Sequence, residues 1–185
     1  MLIFFRDPHK FFCAIVLFLV GSPVVQAAIH TNDSIQLQVE GKIIAAPCKV
    51  NTPTIIALGA YAGKDLSVLG ANSTTKMFQI VMTECPAGAT SATITFTGAP
   101  YNDPVFSSAI YANDVADGAG GIGLQLYNLD GKSLVNLANG ISYSVDIDST
   151  TASAVLPVAA RMYSPYGKVT SGDFSTVVSL NFTYQ

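Results

Sequence analysis

Apolar and polar residues alternate with a period of two along much of this chain. The pattern holds over residues 35–39, 93–97, 123–127, 141–145 and 178–184. Each stretch predicts a β-strand with one face buried, because successive side chains of a strand point to opposite faces. Residues 76–82 and 155–162 predict two more. Pro157 argues for an edge or a bulge in the second of these, since proline has no N–H to give to a ladder. Turn signals fall between the stretches: Asp117-Gly118, Asp130-Gly131, Asn139-Gly140, Pro165 to Gly167, and Ser171-Gly172. No window sustains a helical period over three turns. Short strands at this spacing predict an all-β sandwich. With no linker or repeat after residue 28, they predict a single domain over residues 28–185.

The N-terminus breaks the pattern. Arg6 and Lys10 precede a ten-residue apolar block over residues 11–20, followed by Pro23 and the small-residue pair Val25 and Ala27. A basic start, a short apolar middle and small residues two apart predict a secretory signal peptide over residues 1–27. The block is shorter than the ~20 residues a membrane-crossing helix needs, so no membrane insertion is expected.

Export changes the reading of cysteine and charge. Cys13 leaves with the signal, and Cys48 and Cys85 remain as a single pair in an oxidising compartment, which predicts a disulfide. Loss of Arg6, Lys10 and Asp7 leaves a mature chain of net charge about −4. A mildly acidic chain without a basic patch has no electrostatic footprint for nucleic acid.

Candidate chemistry is thin. His30 is the one histidine after the signal, and it lies in the lead before the first strand, so no hydrolase triad can be assembled. Asp146 and Asp148 alternate onto one face and are expected to be a solvated pair rather than catalytic carboxylates. The run Asp130 to Ser133 looks like the end of a phosphate loop, but its required earlier glycine falls on Leu126, so a hairpin turn is expected. Three Asn-x-Ser/Thr patterns, at Asn32, Asn72 and Asn181, arise readily in a Ser/Thr-rich chain. No cofactor or metal is expected.

Two strands stand apart by position. In the first, Ile35, Leu37, Val39, Gly41 and Ile43 keep one phase, with Gln36, Gln38, Glu40 and Lys42 between them. The last runs Val178, Leu180, Phe182 and Tyr184, alternating with Ser179, Asn181, Thr183 and Gln185. Apolar strands near both ends are a hazard if left exposed, since unpaired edges recruit other chains.

These residues resemble the pilin subunits of chaperone–usher fimbriae, closest to the type 1 family, over essentially the whole mature chain. The resemblance rests on five parts in order. In-phase Gly41 stands seven residues before Cys48, Cys48 and Cys85 match the family's cysteine pair, and residues 120–131 resemble a mid-domain strand and turn. Residues 158–163 resemble the strand before the last hairpin. Tyr184 is penultimate, with Gly172 fourteenth from the C-terminus. The resemblance implies an immunoglobulin-like sandwich lacking its last strand, completed by a donor strand from a neighbouring subunit. It makes residues 28–43 the donor extension, with Ile35, Leu37, Val39, Gly41 and Ile43 as its contacts. It makes Gly172, Val178, Leu180, Phe182 and Tyr184 the C-terminal strand met by a periplasmic pilus chaperone and then an outer-membrane usher. It implies export through the periplasm to a cell-surface fimbria, where the chain is shaft or minor-adaptor material supporting adhesion.

The competing expectation is a self-sufficient secreted sandwich that binds carbohydrate. It would need Tyr101, Phe106, Tyr111, Tyr127, Tyr163 and Tyr166 to share an exposed face.

Overall fold

The computed structural model describes residues 47–130 and 133–185, together with Gln38 and Glu40. The signal peptide, His30 and the donor residues Ile35, Leu37, Val39, Gly41 and Ile43 lie outside the described residues.

Residues 47–185 form two antiparallel sheets packed face to face. In chain order the strands are β1 (Lys49–Asn51), β2 (Ala71–Asn72), β3 (Lys76–Thr83), β4 (Ser91–Gly98), β5 (Gly123–Asp130), β6 (Ser133–Asn136), β7 (Ser142–Asp146), β8 (Ala154–Ser164) and β9 (Val178–Tyr184). One sheet has the order β1-β3-β8-β5-β6, with β2 also paired to β8. The other is β7-β4-β9. A single 3-10 turn, Gly63–Leu66, lies between β1 and β2.

Alternation explains how the sheets face each other. On β4, Ala92, Ile94 and Phe96 are buried, while Ser91, Thr93 and Thr95 face outward. Outward Thr93 and Thr95 hydrogen-bond the hydroxyls of Ser144 and Ser142 on β7, both at 2.8 Å. From the other sheet, Ile80 and Met82 of β3, Leu124 and Leu126 of β5, and Leu156 and Val158 of β8 meet them in one core. Burying aliphatic side chains at about 1.5–3 kcal/mol each is what holds the two layers together.

Pro157 carries a local lesson about edges. β8 is a central strand, paired with β3 over Ala154 to Ala160 and with β5 over Ala159 to Tyr163. Pro157 is opposite Gln79 of β3 but lies outside the stretch that pairs with β5. The edge expected there is therefore one unpaired flank of an interior strand.

The disulfide joins Cys48 to Cys85, both buried. It ties the start of β1 to the end of β3, where Lys49 pairs with Thr83. Inside the fold Tyr111 is fully buried and donates its hydroxyl to the Leu137 carbonyl at 2.7 Å. Burial pushes its hydroxyl far above the ordinary tyrosine range.

Candidate functional site

A cleft of about 1130 Å³ runs between the two sheets on the open side of β9. Its floor comes from both layers: Phe78 and Ile80 of β3, Phe96 of β4, Leu124 and Leu126 of β5, and Met162 of β8. One wall is β9, through Val178, Leu180 and Phe182. The facing wall is the irregular stretch from Thr52 to Gly63. Residues 169–177 close one end. Asp173 is the one charged residue among the described lining. The cleft therefore suits an apolar guest.

The main chain along both walls is open. β9 pairs with β4 from Gly98↔Val178 to Ala92↔Tyr184, and no other described strand pairs with it. Every second residue of β9 thus points its N–H and C=O into the cleft, as an edge strand must. No backbone–backbone hydrogen bond among the described residues involves the stretch 53–61. Beside the same cleft, the Thr176 hydroxyl is buried without a described partner. The cleft is thus flanked by two stretches of main chain without described backbone partners, the free flank of β9 and residues 53–61.

The site residues expected on the C-terminal strand come together here. Val178, Leu180, Phe182 and Tyr184 point inward as the half-buried set of β9, and Ser179, Asn181 and Thr183 are exposed. Tyr184 lies at the end nearest the disulfide. Burial raises its hydroxyl above the ordinary range, and the neighbouring Cys48 backbone N–H offsets part of that. Gly172 is not on β9. It lines the cleft in the preceding loop, where a Cβ would come within 2.5 Å of the Ala119 nitrogen. Close backbone approach is a sufficient reason for glycine at that position.

Other candidate chemistry resolves into structure. The Asp148 carboxylate accepts the N–H groups of Thr150 (2.8 Å) and Thr151 (3.2 Å), which holds its pKa below the usual carboxylate range. It caps a turn beyond β7 and does not share a strand face with Asp146, because β7 ends at Asp146. Asp130 pairs with Ser133 where β5 meets β6, in place of a phosphate loop. The aromatic residues do not gather on one face. Tyr111 is inside the core, and Tyr127 is buried under the Arg161 guanidinium at 5.1 Å. Only Phe106, Tyr163 and Tyr166 cluster, with the Phe106 and Tyr166 rings edge-on at 89°.

The far wall of the cleft, residues 52–63, was not visible as an element in the sequence. Ile55, Ile56, Ala57 and Leu58 form an apolar run without alternation, between Pro53 and Gly59. A β-run interrupted by these two residue types carries no strand signal.

Two antiparallel sheets packed face to face, with an apolar cleft along the free flank of β9, define an all-β sandwich. Comparison with known proteins agrees. The family model described as fimbrial protein matches residues 37–185. Protein FimG of Escherichia coli (strain K12) is 30% identical over 166 residues, covering 89% of this chain and 90% of that protein. S-fimbrial protein subunit SfaG of Escherichia coli O6:K15:H31 is 25% identical over 170 residues, covering 90% of this chain and 92% of the relative. In fold, the P pilus rod subunit PapA matches with a TM-score of 0.59 at 22% identity, over 76% of this chain and all of that one. The chain belongs to the fimbrial protein family, a family of structural fimbrial subunits rather than enzymes. Its place is the cell-surface fimbria.

Proposed function

We propose that the cleft receives a strand from a neighbouring subunit, and that residues 28–43 are the strand this chain gives to the next. The observation that carries the reading is the unpaired flank of β9 facing an unpaired stretch across an apolar cleft. Strand addition draws affinity from main-chain hydrogen bonds and specificity from pockets for alternate side chains. Ile35, Leu37, Val39 and Ile43 supply those side chains. Burial at about 1.5–3 kcal/mol each yields roughly 6–12 kcal/mol gross, opposed by the ordering of about a dozen residues. Gly41 lets the guest approach where a side chain would clash.

The same open edge explains the assembly partners. Before a neighbour's strand arrives, β9 and its Val178, Leu180, Phe182 and Tyr184 row need cover. A periplasmic pilus chaperone would supply it, with exchange at an outer-membrane usher. Residues 1–27 direct the chain there as a signal peptide. Head-to-tail strand donation is an open symmetry, so its product is a fibre.

The test is a version of residues 28–185 with a copy of residues 34–43 joined to the C-terminus by a flexible linker. The fused chain is expected to be a soluble monomer melting well above the unfused chain. An unfused chain that is a stable monomer, and gains nothing from the added strand, would refute strand acceptance.

A further inference from the structure

The two poles of the sandwich differ, and the difference has a shape. Three loops converge at the Ser164 end of β8, where the Gly70 N–H donates to the Ser164 carbonyl. The Tyr163↔Gly123 pair, the packing of Gly123 and Gly98 on Tyr111, and the Gly98↔Val178 pair put this end at the pole where β9 begins. Val68 and Leu69 are 66% and 77% exposed there. Tyr166 is exposed beside them, with Gly167 packed so closely on the backbone of Ser67 and Val68 that a Cβ would meet the Ser67 carbonyl at 2.5 Å. Phe106 supports the Tyr166 ring at 5.5 Å, and the Tyr166 hydroxyl donates to Asp103 at 3.0 Å. The result is a braced apolar projection rather than scattered surface residues. Exposed apolar side chains gathered on adjoining loops suit a protein contact. It adjoins the cleft, whose lining includes Leu66 and Val169.

The opposite pole carries a hollow. Pro86, Ala87, Gly88, Ala89, Tyr184 and Gln185 line a depression of about 250 Å³ next to the disulfide. Small residues and one aromatic ring make it a mostly apolar seat, with Gln185 as its polar member.

We propose that the Val68, Leu69 and Tyr166 projection of one subunit docks into the Pro86 to Ala89 hollow of the next copy of this chain. The inference rests on the strand-acceptance reading above. Antiparallel ladders are the more stable kind, so a guest strand beside β9 runs against it and leaves the cleft at the Val178 end. From Ile43 to Cys48 is five residue steps, at most about 18 Å even when fully extended. The Cys48 pole of the donating copy, with its hollow, is therefore held against the Val68 pole of the accepting copy. The contact is heterologous and repeats along a fibre without closing. Each junction then has two parts, a strand in a cleft and a projection in a hollow, and the second fixes the angle between successive subunits.

The test uses the full chain carrying Leu69→Cys and Ala87→Cys, exported and assembled in an oxidising medium. Strand-donated fibres give a ladder on an unheated detergent gel. The double variant is expected to keep its ladder after boiling without reductant and to collapse to monomer with reductant. Wild type and each single variant should collapse on boiling alone. A double variant that forms the unheated ladder but boils to monomer overturns the docking while leaving strand donation intact. No unheated ladder from the wild-type chain overturns strand donation, and the docking with it. Leu69→Asp provides a reading independent of new thiols. Its fibres should form but fall apart several-fold faster in denaturant, whereas Met77→Asp, at a 62% exposed position on the outer sheet face, should match wild type. Equal dissociation of the two variants counts against the proposal.

Discussion

Leu180 of β9 lies directly opposite Phe96 of β4 in the same sheet, yet Phe96 is 1% exposed and Leu180 is only half-buried. The two side chains point to the same side of the sheet, and both line the cleft. Phe96 is covered by the second sheet, whereas Leu180 stands where cover stops. Removing each should therefore damage a different property. Phe96→Ala should cost about 3–5 kcal/mol of stability, the usual range for a large aromatic deleted from a core. Leu180→Asp should leave the body folded but cut binding of a labelled peptide of residues 34–43 at least tenfold. Denaturant midpoints and fluorescence anisotropy, run on both variants, separate the two effects.

The donating side makes a complementary prediction. Leu37→Asp and Val39→Asp place a carboxylate on the apolar phase of the segment, where burial without a partner is costly. The body of the mutated chain should melt as wild type does, because these residues precede Cys48 and the core. Assembly should be lost, read as disappearance of the fibre ladder on an unheated gel. Gln38→Asp lies on the other phase and should assemble normally. Equal loss from Gln38→Asp would mean that register along the guest strand does not matter, contrary to the period-two pattern.

The long strands were legible because burial on one face writes itself into every second residue. The stretches expected at 76–82, 93–97, 123–127, 141–145, 155–162 and 178–184 correspond to β3, β4, β5, β7, β8 and β9 with shifts of a few residues at their ends. β1, β2 and β6 were not legible. Lys49–Asn51 and Ala71–Asn72 are too short to show a period, and exist because β3 and β8 offer them partners. Residues 133–136 form a strand because β5 offers them a partner, from Asp130↔Ser133 to Tyr127↔Asn136. The apolar side of β9 was readable, but the cleft beside it was not. The cleft lies between the free flank of β9 and the wall at residues 52–63, whose apolar run lacks alternation.

The disulfide supports the next prediction. Cys48–Cys85 closes a loop with a sequence separation of 37 residues and ties the start of β1 to the end of β3. The loop-closure model assigns such a crosslink roughly 4 kcal/mol. Cys48→Ser with Cys85→Ser, made in the strand-fused monomer, should lower its unfolding free energy by about 2–5 kcal/mol. Because Lys49 pairs with Thr83 at the crosslink, hydrogen exchange should rise first in β1 and the end of β3. An unchanged midpoint would show that the β1–β3 ladder holds this corner without the covalent tie.

Tyr111 makes the alkaline limb of stability predictable. Its ring is fully buried and its hydroxyl is committed to the Leu137 carbonyl at 2.7 Å. Burial raises its folded-state pKa, so the folded chain holds this proton more tightly than the unfolded chain does. Below the ordinary tyrosine value of about 10 both states keep the proton, and the stabilising contribution is fully in place. Above it the unfolded chain ionises while the folded chain does not, and stability falls as pH rises toward the folded-state pKa. Tyr166, raised chiefly by its hydrogen bond to Asp103, and Tyr101, raised by burial, act in the same direction. Tyr111→Phe should therefore lose about 1 kcal/mol at neutral pH with the hydrogen bond, and then decline less steeply above pH ~10 than wild type. Denaturant titrations of the strand-fused monomer at a series of pH values give both quantities. Parallel alkaline limbs for the two proteins would place the ionising group elsewhere than Tyr111.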